Sequence, residues 1–269
     1  MKKFAVVGNP IDHSLSPLIH KCFAEQMQVE MTYEKILIDP SSFKEKILLL
    51  SESYHGLNIT LPFKQLAVEI SNFTSTEVKK TNSANTITFE NSFVKADNTD
   101  GYGLITDLND NDFNLKNSNI LLLGAGGAAN GVIYRILNEK PAGIFLHNRT
   151  IEKSKTMVKN WNHESIKDSK IKLYNSEYCD KIDLVINATS SSLNSIHSPI
   201  DLSVFNKQTI CYDMMYGFQT PFIESAKRNK LNFLDGAGML VNQAAESFRI
   251  WNKIKIDRNI IKIVKDKIF

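Results

Sequence analysis

A chain of 269 residues, 42% hydrophobic and 23% charged, has the composition of a globular protein with one large or two ordinary domains. Its net charge of +3 is small and spread along the chain, which argues against a nucleic-acid partner and is compatible with small anionic ligands. No apolar run approaches the roughly 20 residues of a membrane-spanning helix, so we expect no membrane segment.

The chain carries no sign of export or of metal binding. Its N-terminus reaches Gly8 after only four apolar residues, which is too short for a secretory signal. Cys22, Cys179 and Cys211 form no CxxC pair and no evident disulfide framework, so we expect a reducing, cytoplasmic location. The histidines show neither HxH nor HExxH spacing, and we therefore expect no metal site.

The N-terminal part alternates strand-like and helix-like segments. The pattern predicts strands over 3–8, 33–38, 56–61, 86–89 and 93–96. It predicts helices over 16–27 and 42–50, the first with Ser16 as N-cap and Pro17 at the first helical position. Glu90-Asn91-Ser92 is a short polar link between the last two strands and indicates a hairpin.

The pattern becomes more regular after residue 101. A short helix over 103–108 and a polar connection precede a buried strand over 119–123, and a helix then runs to about residue 139. Further strands are predicted over 143–147, 183–188, 209–213 and 232–234, with helices over 154–161, 240–251 and 262–268. Strands that alternate with helices imply a right-handed parallel α/β sheet.

A glycine-rich turn follows the strand over 119–123. It reads Gly124-Ala125-Gly126-Gly127-Ala128-Ala129, a GxGxxA spacing between a strand and a helix. Gly124 permits the tight turn, Gly126 lets the backbone approach a phosphate, and Ala129 allows close packing of the helix on the strand. We therefore predict a dinucleotide site with the pyrophosphate at the helix N-terminus, a plain strand-to-helix connection being the alternative.

The residues after the second strand of this half select the cofactor. An acidic side chain there binds the ribose 2′-hydroxyl of NAD, whereas a basic one accommodates the 2′-phosphate of NADP. The segment reads His147-Asn148-Arg149-Thr150, with Lys153 one turn further on and no carboxylate at the selecting position. Because the guanidinium fork of Arg149 matches a phosphate, NADP is favoured over NAD. The alternative is that Arg149 and Lys153 are solvated surface charges.

Polar residues of the first half could perform the chemistry. An enzyme that interconverts an alcohol and a ketone needs a group that handles the hydroxyl proton and polar groups that fix the substrate. Candidates cluster at 13–17, 58–64 and 97–101. Each also has an ordinary interpretation: Ser16 as a helix cap, Lys64 as a solvated side chain, and 97–101 as a turn.

Taken together, these segments resemble the shikimate dehydrogenase family over almost the whole chain. The ordered matches are Gly8-Asn9-Pro10, His13-Ser14-Leu15-Ser16-Pro17, Asn58-Ile59-Thr60-Leu61-Pro62-Phe63-Lys64, Asn85-Thr86, Asp97-Asn98-Thr99-Asp100-Gly101, the glycine turn, Asn148-Arg149-Thr150, Asn187-Ala188-Thr189-Ser190, Tyr212-Asp213-Met214-Met215-Tyr216 and the segment from Asp235 to Ala245. So many motifs in order are far more specific than the glycine turn alone.

The resemblance implies NADPH-linked reduction of 3-dehydroshikimate to shikimate, a step of aromatic amino-acid biosynthesis. It implies that Lys64 is the catalytic acid/base and Asp100 its partner at the reacting hydroxyl. The residues implied to contact the substrate are Ser14, Ser16, Asn58, Thr60, Asn85, Tyr216 and Gln243, the two serines at its carboxylate. The residues implied to line the NADP site are Gly124, Ala125, Gly126, Gly127, Ala128, Asn148, Arg149, Thr150, Lys153, Met214 and Gly238.

Two segments depart from the family pattern. The family usually has Gly-Ala-Val-Asn-Thr where this chain has Asn82-Ser83-Ala84-Asn85-Thr86, so the local backbone can differ although Asn85 is kept. Lys153 replaces a more usual arginine, which keeps the charge but loses the guanidinium fork.

The resemblance also implies the domain organisation. An α/β substrate-binding domain would comprise 1–101 and 239–269, and a Rossmann-type doubly wound NADP domain 102–238, with a cleft between them. The expected partner is a small-molecule substrate, in a monomer or a homodimer. Two alternatives remain: a quinate/shikimate dehydrogenase with relaxed cofactor use, and a non-catalytic NADP-binding regulator. Retention of both Lys64 and Asp100 argues against the regulator.

Overall fold

The computed structural model describes residues 1–162, 171–189 and 197–269. The chain forms two compact units. One consists of Met1–Leu104 with Leu240–Phe269, and the other of Ile105–Met239.

The first unit is built on a six-stranded mixed sheet in the order β2-β1-β3-β5-β6-β4. Its strands are β1 (Lys2–Gly8), β2 (Met31–Leu37), β3 (Gly56–Ile59), β4 (Phe73–Thr74), β5 (Thr86–Glu90) and β6 (Phe93–Asp97). Strand β1 runs parallel to β2 and β3, whereas β5 is antiparallel to β3 and β6. Asn91 and Ser92 turn the β5–β6 hairpin at positive φ, 49° and 66°, as a tight hairpin turn requires. The predicted hairpin is confirmed.

Two apolar clusters hold the helices of this unit in place. The helices are α1 (Ser16–Met27), α2 (Phe43–Leu50), α3 (Lys64–Glu69), α4 (Thr76–Thr81) and α10 (Arg258–Ile268). Helices α5 (Asp100–Asp110) and α9 (Ala237–Asn252) carry the chain out of the unit and back into it. One cluster packs Ile47 and Phe63 against Leu57 of β3. The other joins Phe23 of α1 to Phe248 of α9.

The second unit is a parallel six-stranded sheet in the order β12-β11-β10-β7-β8-β9. Its strands are β7 (Asn119–Leu123), β8 (Gly143–His147), β9 (Ile171–Leu173), β10 (Leu184–Asn187), β11 (Ile210–Asp213) and β12 (Asn232–Leu234). Counted within the unit this is the 3-2-1-4-5-6 order of the doubly wound dinucleotide fold. The strand order reverses between β7 and β10, and ligands of such sheets bind where it reverses, at the carboxyl ends of the strands.

Three helices accompany this sheet: α6 (Gly127–Asn138), α7 (Ile151–Trp161) and α8 (Pro221–Arg228). Trp161 of α7 donates its indole N–H to Asn130 Oδ1 of α6 at 2.7 Å, which joins the two helices beside β8. An apolar cluster that includes Leu121, Val185 and Phe222 forms the core on the side of α8.

The predicted α/β class and the Rossmann-type unit are confirmed. The sequence pattern did not predict α3, α4 and β9, which have six, six and three residues. Helices of six residues do not fill the window that a helical period needs, and β9 contains a lysine between its two apolar residues and so is not an apolar run. It also missed α8, although Thr220 and Pro221 form a readable start signal, and the Thr220 hydroxyl accepts from Ile223 N at 3.2 Å.

Candidate active site

Lys64 and Asp100, 36 positions apart in sequence, form an ion pair in the first unit. Lys64 begins α3 and Asp100 begins α5. The ammonium Nζ lies 2.5 Å from Asp100 Oδ2, and the other carboxylate oxygen accepts from Asn85 Nδ2 at 2.9 Å. The Lys64 side chain is 20% exposed and that of Asp100 9%. A substrate hydroxyl can therefore reach the ammonium while the carboxylate stays fixed behind it.

A buried amide network extends from Asp100 to helix α9. Asn85 Oδ1 accepts from Thr99 N at 2.8 Å, and Asn85 Nδ2 lies 3.2 Å from Gln243 Oε1. Gln243 in turn donates to Leu240 O at 2.9 Å, so its amide orientation is fixed. The structure thus brings together the predicted residues Lys64, Asn85, Asp100 and Gln243.

Asn58 belongs to the same buried network. Its Oδ1 accepts from Tyr33 OH at 2.7 Å, and its Nδ2 donates to Asn85 O at 3.1 Å and Ser247 Oγ at 3.0 Å. Thr86 Oγ1 lies 2.8 Å from Ser247 Oγ.

Sequence reasoning assigned no role to Tyr33, Thr86, Thr99 or Ser247. For Ser247 a signal existed, because it lies four positions after Gln243 and therefore on the same helix face. For Tyr33 no such signal exists in the strand pattern.

Tyr33 connects Asn58 to Ser16 and to a buried histidine. Burial raises the pKa of Tyr33 well above its ordinary value, and a hydrogen bond with the Ser16 side chain partly offsets this rise. The His20 ring stacks on Tyr33 with a centroid separation of 4.2 Å and an interplanar angle of 8°. Burial lowers the pKa of His20 to about 3, an effect that the Asn58 side chain partly offsets. His20 is therefore neutral at physiological pH.

The prediction of Ser16 as N-cap is wrong. The N-cap is Leu15, while Ser16 is the first helical residue and Pro17 the second. Ser14 lies in the preceding loop, where its Oγ accepts from Ser16 N at 3.3 Å. Ser14 Oγ thus binds an N–H group at the start of the helix that has no partner within the helix. The buried Ser16 hydroxyl does not cap the helix.

Thr60 lies at the end of β3, next to the N-terminal motif. Its N–H donates to Val7 O at 2.9 Å. A Cβ added to Gly8 would lie 2.5 Å from Thr60 Cγ2, so any larger residue at this position would displace this half-buried threonine. The two motifs therefore meet at the carboxyl ends of β1 and β3, which are adjacent parallel strands.

In the second unit the glycine turn occupies the expected position after β7. Gly124 has φ +107°, and its N–H donates to His147 O at 2.8 Å. An added Cβ on Gly124 would lie 3.1 Å from Ala188 O, because the turn runs close to the chain leaving β10. Gly126 is the N-cap of α6, and added Cβ atoms on Gly126 and Gly127 would meet nothing within 4 Å.

The start of α6 therefore fits a pyrophosphate. The first turn offers backbone N–H groups and the positive end of the helix dipole. Ala125 and Ala128 are half-buried beside the exposed Gly126, whereas Ala129 is fully buried and brings the helix close to the sheet.

Basic side chains follow β8. Asn148 donates to Thr150 O at 2.9 Å, and Thr150 is the N-cap of α7 but makes no capping bond with its side chain. Arg149 and Lys153 are exposed, and among the residues that the structure describes neither pairs with a carboxylate. This set fits a 2′-phosphate, since two cations and a hydroxyl face solvent at the selecting position.

Met214 and Gly238 lie in tightly packed backbone of the same unit. Met214 N donates to Asn187 O at 3.0 Å, and a Cβ on Gly236 would lie 2.3 Å from Met214 O. A Cβ on Gly238 would lie 1.7 Å from Asp107 Oδ1, so glycine is required there. Tyr216 follows β11, is half-buried, and has a pKa raised by burial.

The sequence motifs at 187–190 and 212–216 also contain a buried carboxylate. Asp213 accepts from Asn187 Nδ2 at 3.2 Å and from Thr220 Oγ1 at 2.5 Å. Asn187 Oδ1 accepts from Thr189 Oγ1 at 2.7 Å, which fixes the chain leaving β10. Burial raises the pKa of Asp213. Ser190 of the first motif lies outside the described residues.

None of the described helices combines the length and the low polarity that crossing a bilayer requires. In the described ranges, no three His, Cys, Asp or Glu side chains are arranged to hold a metal ion.

Three features define a two-domain α/β oxidoreductase of the dinucleotide-binding class. They are the doubly wound sheet, the glycine turn where the strand order reverses, and the ion pair of Lys64 and Asp100 in the other unit. The sequence matches the families described as shikimate dehydrogenase substrate binding domain over 6–87, shikimate / quinate 5-dehydrogenase over 107–209, and shikimate 5′-dehydrogenase C-terminal domain over 236–262. The chain belongs to the shikimate dehydrogenase family.

Shikimate dehydrogenases of other organisms align with almost the whole chain. The shikimate dehydrogenase (NADP(+)) of Vesicomyosocius okutanii is 43% identical over 264 residues, which cover 96% of each chain. That of Legionella pneumophila (strain Corby) is 41% identical over 257 residues, 94% of each chain. The crystal structure of shikimate 5-dehydrogenase from Thermus thermophilus with NADP(H) and shikimate superposes with a TM-score of 0.89 at 26% identity, covering 99% of each chain.

Proposed function

We propose that this chain is an NADP-dependent shikimate dehydrogenase that interconverts 3-dehydroshikimate and shikimate, with Lys64 as acid/base and Asp100 as its partner. The observation that carries the assignment of the chemistry is the 2.5 Å ion pair between these side chains, in a chain of this family. A protein that only bound NADP would have no need of a buried carboxylate aimed at a partly exposed ammonium.

NADPH, when bound, supplies the hydride that reduces the ketone carbon. Lys64 Nζ gives a proton to the carbonyl oxygen as that oxygen becomes a hydroxyl, and it takes the proton back in the reverse direction. Asp100 keeps the ammonium in place through Oδ2, while Asn85 holds Oδ1 and so fixes the carboxylate plane. Substrate and acid are thereby aligned before the reaction begins, which hydride transfer demands.

The remaining polar residues would hold the substrate. Ser14 and Ser16 lie at the start of α1, where two hydroxyls beside a helix N-terminus suit a carboxylate. The residues that would contact the carboxylate or the ring hydroxyls are Asn58, Thr60, Asn85, Tyr216 and Gln243. In this proposal the first unit is the substrate-binding domain.

The second unit would hold NADP. Its pyrophosphate would lie at the N-terminus of α6, and the 2′-phosphate at Arg149, Thr150 and Lys153. The residues that would line this site are Gly124, Ala125, Gly126, Gly127, Ala128, Asn148, Arg149, Thr150, Lys153, Met214 and Gly238. We place the enzyme in the cytoplasm, as a monomer or homodimer; the three free cysteines support a reducing compartment.

A second candidate is a quinate/shikimate dehydrogenase with relaxed cofactor use. It is supported by the family matched over 107–209, whose description names both shikimate and quinate. The test is an absorbance assay of reduced cofactor with shikimate or quinate, each with NADP and NAD. We expect turnover of shikimate with NADP. Comparable turnover of quinate, or of shikimate with NAD, would favour the second candidate. No turnover in any of the four mixtures would favour a non-catalytic regulator.

A further inference from the structure

The segment Asn82-Ser83-Ala84 follows helix α4, and Lys64 contacts its backbone. Asn82 ends the helix at φ 47°, a left-handed conformation that asparagine adopts more readily than most residues. It thus takes the place of the glycine that the sequence lacks here. The next two residues are then held in place: Ala84 N donates to Lys64 O at 2.9 Å.

Asn98 connects this segment to Asp100. Its Nδ2 donates to Ser83 O at 2.8 Å, and its Oδ1 accepts from Asp100 N at 3.0 Å. The side chain is 5% exposed, so both ends of its amide exchange their hydrogen bonds with water for bonds to these two backbone groups.

These contacts close a ring around the ion pair. The ring runs from the Lys64 backbone through Ser83-Ala84 and the Asn98 amide to the Asp100 backbone, and it returns through the carboxylate to Lys64 Nζ. Removing one member opens the ring, and buried networks of this kind fix geometry only while every member is satisfied.

We propose that Asn98 is a positioning residue that sets the distance between Lys64 and Asp100, acting through Ser83 and Ala84. The proposal rests on the catalytic roles proposed above for the pair. Without the Asn98 amide, the Asp100 N–H loses its partner and the Ser83 carbonyl keeps only the Thr81 hydroxyl, at 3.2 Å. The two backbone segments can then shift relative to each other. A displacement of about 1 Å at a catalytic group can reduce turnover by about 10²-fold.

Steady-state kinetics of Asn98→Ala test this directly. We expect kcat for shikimate oxidation to fall about 10²-fold, while KM for shikimate and for NADP changes less than about threefold. Asn72→Ala is the control: Asn72 Oδ1 accepts from Val94 N at 2.8 Å and joins two backbone segments of the same unit away from the ion pair. Because Asn72 is exposed, this variant should lose less thermal stability than Asn98→Ala, and it should keep its kcat. Equal kcat values for the two variants would overturn the proposal.

A double-mutant cycle separates positioning from a general structural role. If Asn98 acts only by placing Lys64, Asn98→Ala should lower the residual rate of a Lys64→Ala enzyme by less than about twofold. The same large factor in both backgrounds would overturn the proposal. Should Asn98→Ala fail to fold, Asn98→Asp keeps an acceptor for Asp100 N but removes the donor to Ser83 O, and the same reduction in kcat is expected. Inactivity of the wild-type enzyme would instead refute the proposed function.

Discussion

Removal of the Lys64 side chain should separate catalysis from binding, because the ammonium handles the proton of the reacting hydroxyl in the proposed function. We expect Lys64→Ala to lower kcat for shikimate oxidation by about 10²–10⁴-fold, the usual contribution of a positioned acid/base, while KM changes little. Lys95→Ala is a suitable control, because Lys95 also pairs with a carboxylate of this unit, Glu90, at a more exposed site. A Lys64→Ala enzyme with near-normal kcat would contradict the acid/base role.

Arg149 should decide between the two dinucleotides. Because it is exposed and pairs with no carboxylate in the described residues, its charge is available to a 2′-phosphate. A hydrogen bond between charged groups contributes about 1.5–3 kcal/mol, so Arg149→Ala should raise KM for NADP by about 10–150-fold and leave KM for NAD unchanged. Exposed Arg228, on α8, gives a control. An unchanged ratio between KM for NADP and KM for NAD would exclude a role for Arg149 at the 2′-phosphate.

At the scale of residues, local pattern identifies candidates but not distances. Nothing in a linear sequence places Lys64 beside Asp100; the pair became predictable only through the family resemblance. The residues that support the ion pair were even harder to predict from the sequence. In the sequence, Asn82 stands where the family usually has glycine. In the fold it adopts the left-handed conformation that a glycine would otherwise supply there.

The turn between β7 and α6 contains two glycines that should respond differently to substitution. Gly124→Ala should destabilise the fold by about 1–3 kcal/mol, since φ is +107° and Ala188 O lies 3.1 Å from the added methyl. Gly126→Ala should leave stability nearly unchanged, because its φ of −97° suits alanine and the methyl meets nothing. It should weaken NADP binding by occupying the approach of the pyrophosphate. Urea unfolding and NADP titration measure both effects, and equal loss of stability in the two variants would contradict this account.

His20 ties α1 to β2 by stacking on Tyr33, and its burial makes stability depend on pH. With the pKa of His20 lowered to about 3 in the fold, the unfolded chain binds a proton below about pH 6.5 that the native protein excludes. The contribution to stability is therefore complete above that pH and declines as the pH falls towards 3.

His20→Phe keeps an aromatic ring against Tyr33 but removes the titration. Between about pH 7.5 and about pH 5.5, the wild-type free energy of unfolding should fall by about 1 kcal/mol more than that of the variant. Urea unfolding at the two pH values measures the difference, and other titrating groups cancel because both proteins share them. Parallel pH dependence would show that His20 is protonated as readily in the fold as in the unfolded chain.

At the scale of the whole molecule, the second unit was far easier to predict than the first. Its four central strands, β7, β8, β10 and β11, are almost fully buried and read as short apolar runs. A doubly wound sheet also leaves few strand orders open. The first unit combines parallel pairs with an antiparallel hairpin and a two-residue strand, β4, at its edge. Only the hairpin link revealed that mixture in the sequence.

The division into two units predicts where each ligand protects the backbone. Hydrogen exchange of the full chain with NADP alone should slow amides in the glycine turn and the first turn of α6, and in 148–153. Shikimate alone should slow amides in 58–64 and 97–101. Such protection follows because a ligand that binds only the native state suppresses local opening where it binds.

The two ligands serve as controls for each other in this experiment. Protection by NADP that is centred on 58–64, or protection by shikimate that is centred on the glycine turn, would contradict the assignment of substrate and cofactor to their units. Repeating the NADP measurement with Arg149→Ala tests one further step. Protection at 148–153 should weaken more than protection at Gly126 and Gly127, because the pyrophosphate contact does not involve Arg149.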